Sequence, residues 1–258
     1  MAQSKNDNDL IYGVNSIYEL LAFAPHRVIE IYVEAQRTQD NKKTKVIEIL
    51  TLCEQHKIKV HKLDKLQFNA KFGELSHQGI AANFKPKALI PENDLLNILA
   101  QTTNPLILIL DGVQDPNNLG ACIRVSEAAG VDLLIIPKNN SATITPAVRK
   151  VASGATESLN IMSVTNIART IKTLQDNRIW IVGTSLESSQ YIYTVDLAIP
   201  IALVMGSEAD GIRLLTAKNC DYLVKLPMCG KIQSLNVATA TGVCLFEAVR
   251  QRLAKQAF

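Results

Sequence analysis

The run Leu106-Ile107-Leu108-Ile109-Leu110 is apolar at every position. A strand with one wet face alternates apolar and polar residues. One that is apolar throughout is covered on both faces, as in a parallel sheet with helices above and below. Segments of the same character follow at 133–136, 179–182, 201–205 and 222–226, stopped in turn by Pro137, Gly183, Gly206 and Pro227. Glycine and proline are the residues that end such runs. Between the apolar runs the spacing turns helical, at 118–129 (closed by Gly130), at 166–176 and over a long closing helix at 235–255. The buried stripe of that last helix is expected to include Val243, Phe246 and Val249. Strands alternating with helices make an α/β domain on a mainly parallel sheet.

A second, smaller α/β unit precedes it. Residues 28–33 are β-branched and apolar, 42–57 carry Val46, Ile49, Leu50 and Cys53 at helical spacing, and 59–63 and 79–84 read as short strands. From Lys85-Pro86-Lys87 to Pro105 the chain becomes proline-rich and polar, the texture of a linker, with room for a short helix at 94–100. The expected organisation is an N-terminal domain over 1–84, a linker over 85–104 and a second domain over 105–258.

Several functions are excluded on composition and spacing. The chain opens MAQSKNDNDL, without a secretory apolar region, and no apolar run reaches the ~18 residues of a membrane span, so a cytoplasmic protein without a membrane partner is expected. The cysteines (Cys53, Cys122, Cys220, Cys229, Cys244) are odd in number and form no CxxC pair, which argues for reduced thiols and against a metal site. The net charge is only +3. A nucleic-acid surface must therefore be local, and Lys42, Lys43, Lys45, Lys57, Lys59 and Lys62 are the candidate patch. His26, His56, His61 and His77 all lie before residue 85, so chemistry in the second domain has no histidine base. The turn after the first long strand, Asp111-Gly112-Val113-Gln114-Asp115-Pro116-Asn117-Asn118-Leu119-Gly120, is neither GxGxxG nor a P-loop. An adenosine-bearing ligand would have to bind at the later loops.

Those loops are Gly183-Thr184-Ser185, the segment 206–211 (GSEADG) and the stretch from Pro227 to Asn236. In an open parallel sheet, ligands sit beyond the carboxyl ends of the strands. The polar residues there each have an ordinary explanation. Asn118 can cap a helix, Arg124 can lie on a wet helix face and pair with Glu127, Glu208 can precede a helix, and Ser234 and Asn236 can cap the last one.

Taken together and in order, DPNNLGACIR, LVMGSEADGIR and LPMCGKIQSLNVATATGVCLFEAVRQR resemble the three motifs of the SpoU (TrmH) class of SPOUT RNA ribose methyltransferases. IYGVNSIYELL, HQGIAA, ARTIKTLQ and IWIVGT extend the resemblance over about residues 10–252, toward the members that methylate a guanosine ribose of 23S ribosomal RNA in the loop holding the P-site tRNA end. The resemblance implies a C-terminal trefoil-knot domain and a small N-terminal, ribosomal-protein-like substrate-binding domain. It also implies S-adenosyl-L-methionine as methyl donor, no metal, and a homodimer in which each partner completes the other's site.

By the same matching, Gly206, Leu226 and Leu235 would hold the methyl donor through the backbone, with Thr184, Ser185 and Met228 as neighbours. Arg124 would meet the target phosphate and the departing proton. A guanidinium stays protonated at ordinary pH, so positioning and charge stabilisation suit Arg124 better than the role of a simple base. Asn118 and Ser234 would orient the hydroxyl and Arg124, Glu208 would hold the network together, and Asn236 would order the loop. The alternatives are a transfer-RNA enzyme of the same class, an RNA-binding assembly factor without activity and a small-molecule methyltransferase.

Overall fold

The computed structural model describes residues 10–38, 44–73, 77–208 and 210–256. They form two compact units, one comprising the chain up to Ala88 together with Ile144–Ser158, the other Leu89–Thr143 together with Leu159 onward.

The first unit runs β1 (Leu10–Tyr12), α1 (Val14–Phe23), β2 (Val28–Glu34), α2 (Thr44–Gln55), β3 (Lys59–Leu63), α3 (Lys65–Phe72) and β4 (Ile80–Phe84). Its sheet has the order β1-β4-β2-β3, antiparallel except for the β2/β3 pair. Alternation along β2 divides the side chains between two cores. Ile31 and Val33 join Ile17, Leu20, Leu21, Ile49 and Cys53 under α1 and α2, while Tyr32 joins Tyr12, Phe68, Phe72 and Ala81 under α3. The same period of two separates the expected lysine patch, because Lys59 and Lys62 stand on opposite faces of β3. Lys45 donates to Asn15 Oδ1, and Lys42 and Lys43 lie outside the described residues.

The later segment in this unit contributes α6 (Pro146–Ala152) and α7 (Ala155–Ser158). Arg149 and Glu157 form a buried ion pair there, with the guanidinium over the Phe84 ring, and Lys87 N donates to Glu157 Oε2 at 2.7 Å. A buried pair is tolerated only when its remaining polar atoms find partners, and Thr156 Oγ1 supplies another to Glu157.

The second unit contains α4 (Leu95–Leu99), β5 (Leu106–Asp111), α5 (Pro116–Ala128), β6 (Leu133–Pro137), β7 (Ile161–Val164), α8 (Ile167–Asp176), β8 (Trp180–Thr184), β9 (Ile201–Gly206), α9 (Leu214–Lys218), β10 (Tyr222–Val224) and α10 (Val237–Gln256). All six strands are parallel, in the order β10-β8-β9-β5-β6-β7. The fully apolar β5 lies in the middle with every residue buried, as its sequence requires. Ile167, Ile171 and Leu174 put one stripe of α8 into the core, each contributing roughly 2 kcal/mol of apolar burial.

The expected linker divides between the units. Its latter part belongs to the second, where Ile90 bridges to Met162, Leu95 is buried, and Glu92 binds Thr165 and Arg169.

The closing helix differs from expectation in its stripe. Val237, Thr241, Cys244, Leu245 and Ala248 are buried, whereas Val243 is 36% exposed and Phe246 48%, and Val249 is half-buried. The helix carries two apolar stripes, and α5 takes the one with small residues. Cys122 Sγ meets Thr241 Oγ1 at 3.7 Å, and a Cβ on Gly242 would stand 3.3 Å from Val125 Cγ2. Burial pushes the thiols of Cys122 and Cys244 up to about 11 and about 12, so both pack as neutral groups.

Arg252, half-buried, ties α10 to the rim of the sheet. It donates to the carbonyls of Asn104 (2.8 Å), Pro105 (3.0 Å), Ile199 (2.9 Å) and Leu197 (3.3 Å). Arg252→Met strands these acceptors and is expected to cost about 2–4 kcal/mol, seen as a thermal midpoint lower by several degrees. An unchanged midpoint would show that these hydrogen bonds contribute nothing net.

Candidate active site

Three chain segments far apart in sequence meet beyond the carboxyl ends of β5 and β9. The first is the start of α5. Pro116 occupies the first turn, where a missing N–H is harmless, and Asp115 is the cap, its Oδ1 accepting from Asn118 N at 2.8 Å. The capping role expected for Asn118 therefore belongs to Asp115, which leaves the Asn118 amide available.

The second segment follows β9. Ser207 and Gly211 exchange backbone hydrogen bonds of 3.0 Å, and Asp210 N donates to Ser207 Oγ at 3.1 Å, so the loop closes on itself. Gly206 is buried under this closure. A Cβ there would overlap the peptide joining Gly211 to Ile212, so only glycine fits.

The third segment is Asn236. Its Oδ1 accepts from Ala238 N (3.0 Å) and Thr239 N (3.3 Å), capping α10 as expected. Its Nδ2 makes a second set of bonds, to Asn118 Oδ1 at 2.8 Å and Glu208 Oε1 at 2.6 Å. Asn118 Nδ2 also donates to Glu208 Oε1, at 3.0 Å, and Val237 N approaches the same oxygen at 3.4 Å. A carboxylate only accepts, so both amide groups are oriented without ambiguity. Asn118 is half-buried, while Glu208 and Asn236 are exposed. Such a bond contributes roughly 0.5–1.5 kcal/mol net, and more to a carboxylate, so the cluster ties three distant chain segments together at one oxygen.

Two expected members stand outside this cluster. Arg124 is exposed and has no hydrogen-bond or ion-pair partner among the described residues, Glu127 included. It lies six residues after Asn118 on α5, roughly 9 Å along the axis and 120° around it. Ser234 is exposed and makes no hydrogen bond among the described residues.

The remaining expected residues lie at or beyond the ends of three neighbouring strands, β10, β8 and β9. Thr184 ends β8 and donates to Val204 O at 3.2 Å, and the Ser185 amide is committed to Val224 O at 2.8 Å. Leu226 and Met228 are half-buried just past β10, and Leu235 is 40% exposed beside Asn236. Over 226–235 no backbone amide donates a hydrogen bond among the described residues. That stretch offers its N–H groups to a ligand. Among the described residues, no group of three or more His, Cys, Asp or Glu is placed to hold a metal ion, and no helix is long and apolar enough to cross a membrane.

Comparison with known proteins gives the family of the chain. Residues 105–246 match the SpoU rRNA Methylase family, and residues 10–89 match the RNA 2'-O ribose methyltransferase substrate-binding family. A protein of Vibrio vulnificus named 23S rRNA (guanosine-2'-O-)-methyltransferase RlmB is 47% identical over 249 residues, covering 96% of this chain and 99% of the relative. The SpoU methyltransferase AviRb of Streptomyces viridochromogenes, solved with AdoMet, shares the fold at a TM-score of 0.75 and 23% identity, over 95% of this chain and 90% of its own. The TrmH/SpoU tRNA modifying enzyme of A. aeolicus is 30% identical with a TM-score of 0.55, over 64% of this chain and 83% of its own. The full-length match and the matched catalytic segment together show that the chain belongs to the SpoU rRNA methylase family.

Proposed function

We propose that this protein transfers the methyl group of S-adenosyl-L-methionine to the ribose 2'-oxygen of a guanosine in 23S ribosomal RNA, in the loop that holds the P-site tRNA end, and so acts in the cytoplasm during ribosome biogenesis. The observation that carries the reading is the Asn118–Glu208–Asn236 cluster, built from the three motif segments in a chain that matches the 23S-specific relative from end to end. The A. aeolicus transfer-RNA enzyme covers only 64% of the chain, which favours the ribosomal substrate over the transfer-RNA one.

The residues suit this donor. The unpaired amides of 226–235, the small residues Thr184, Ser185 and Gly206, and the apolar Leu226, Met228 and Leu235 fit an adenosine recognised by backbone and van der Waals contact. When bound, the donor supplies an electrophilic methyl carbon on a sulfonium. The ribose oxygen forms the new C–O bond as the C–S bond breaks, the electron pair stays on sulfur, and the hydroxyl proton leaves to solvent. Asn118 holds the hydroxyl, with Glu208 and Asn236 fixing its amide. Arg124 and Ser234 complete the site, with the guanidinium stabilising charge that grows on the oxygen.

Two features support a homodimer as the working unit. Arg124 has no partner among the described residues of its own chain, and α10 leaves Val243, Phe246 (48% exposed) and Leu253 (60% exposed) uncovered. In the family's C-terminal part the chain is knotted. The order here is compatible with that: it passes from edge strand β10 back to α10, which packs on α5. The N-terminal unit would hold the RNA. The lysines do not share one face, so the charges of Lys45, Lys57, Lys59 and Lys62 are reversed one at a time; at those that meet the RNA the salt dependence of affinity is expected to flatten, by close to one unit of slope for each phosphate no longer neutralised. An unchanged slope would move the RNA to another face.

The reading is tested by labelled methyl transfer to protein-free 23S ribosomal RNA, 16S ribosomal RNA and transfer RNA. Label in 23S alone is expected. Label in transfer RNA alone favours the sister activity, and none in any RNA removes the enzyme.

A further inference from the structure

We propose that Asp111 and Arg213 form a positioning pair that sets the location of Glu208; this rests on the methyltransferase reading above. Asp111 is the last residue of β5, and its side chain is fully buried. A buried carboxylate is costly unless matched, and the guanidinium that matches it here is 46% exposed. The match here comes from one residue. Arg213 N donates to Asp111 Oδ2 at 3.1 Å, and Arg213 Nη1 lies 3.2 Å from Asp111 Oδ1. That oxygen accepts no hydrogen bond among the described residues, so the ion pair is its compensation. The guanidinium lies along Gly112, where a Cβ would stand 3.3 Å from Nη2 and where φ is +87°.

The position of the pair gives it a consequence. In the sheet register Asp111 is the partner of Gly206. The loop that starts at Gly206 therefore begins beside Asp111, and through Arg213 it ends on the Asp111 carboxylate. Both ends are fixed to one point at the tip of β5. Glu208 projects from this loop, and the first residue it binds, Asn118, lies seven positions beyond Asp111 along the chain. Asp111 thus fixes the separation between the segment carrying Asn118 and the segment carrying Glu208, without touching either side chain. A displacement of about 1 Å at a reacting group can cost roughly 10²-fold in rate.

The test compares Arg213→Gln, Arg213→Lys and Asp111→Asn with the wild type in steady-state methyl transfer, each alone and on a Glu208→Ala background, at a temperature where circular dichroism shows a folded chain. Arg213→Gln is expected to lower kcat by roughly 10–100-fold with little change in RNA affinity. Arg213→Lys recovers part of the loss, and Asp111→Asn, which no RNA can reach, reproduces it. The Arg213→Gln/Glu208→Ala double variant is expected to be no slower than Glu208→Ala, because the pair acts through Glu208. Amide exchange at Ser207 and Gly211 should quicken in Arg213→Gln.

Wild-type kcat in Arg213→Gln, or losses that multiply with Glu208→Ala, overturns the proposal. A loss seen in RNA affinity and its salt slope, with kcat kept, also overturns it and makes Arg213 a phosphate ligand. If Asp111→Asn does not fold, the Arg213 variants and the exchange rates decide. An inactive wild type is a different failure: it removes the methyltransferase reading, and the exchange rates still report on the pair.

Discussion

Glu208→Ala is expected to lower kcat for methyl transfer by roughly 10²–10³-fold while leaving the thermal midpoint within a degree or two. One oxygen, Glu208 Oε1, accepts from Asn118 Nδ2, from Asn236 Nδ2 and, more distantly, from Val237 N. Without it Asn118 Nδ2 loses its acceptor, and the Asn118 amide is held only by the bond from Asn236 Nδ2 to its Oδ1, while Asn236 itself stays oriented by capping Ala238 N and Thr239 N. Bonds to an ionised acceptor are about twice as strong as neutral ones, so this is the strongest element of the cluster. The residue is exposed, so its loss buries no orphan and costs little stability. Glu208→Gln separates the two contributions: it retains an acceptor oxygen and loses the charge. An intermediate rate is expected if orientation and charge both matter. Full activity in Glu208→Ala would mean that the cluster is only a local cap.

Arg124→Ala is expected to cost orders of magnitude in kcat with an intact fold, because its side chain makes no hydrogen bond or ion pair among the described residues that the substitution could break. The same isolation makes a second result predictable. If Arg124 serves the site of the partner subunit, a mixture of Arg124→Ala and Glu208→Ala protomers regains activity. Each mixed dimer then holds one site with both residues and one site with neither. Protomers that act alone regain nothing on mixing. Wild-type turnover in Arg124→Ala would remove the residue from the mechanism.

What is legible in the sequence follows from how each element is stabilised. β5, β6, β8 and β9 can be read because a strand covered on both faces has no polar alternation to obscure it. α6 and α7 cannot. Apart from Val148 their buried residues are small or polar (Arg149, Ala152, Ala155, Thr156 and Glu157), so no apolar stripe announces them. The Arg149–Glu157 pair joins them to each other, and their place in the first unit comes from Phe84 under the Arg149 guanidinium and Lys87 N on Glu157, contacts of long sequence range. The four-residue β7 and the five-residue α9 are too short to show a period. In α10 the periodicity identifies a helix but not its inner face, because residues one position apart in the heptad are apolar on both stripes.

The site divides in the same way. Asn118, Glu208 and Asn236 each look like ordinary capping or loop residues when taken singly, and Asn236 does cap α10. Only the motif resemblance suggests that they act together, and the hydrogen bonds among them are what the structure adds. No motif or spacing singles out Asp111 and Arg213 as a pair. Asp111 closes a strand otherwise made of Leu and Ile, and an acidic residue ending such a buried run is the available signal.

The most direct measurement is a map of alkali-resistant ribose positions in 23S ribosomal RNA from cells with and without this protein, and from cells carrying Glu208→Ala. One guanosine is expected to lose its 2'-O-methyl group in the deletion and most of it in the variant, with every transfer-RNA ribose methyl unchanged. An identical 23S map in all three strains, or a loss confined to transfer RNA, would contradict this.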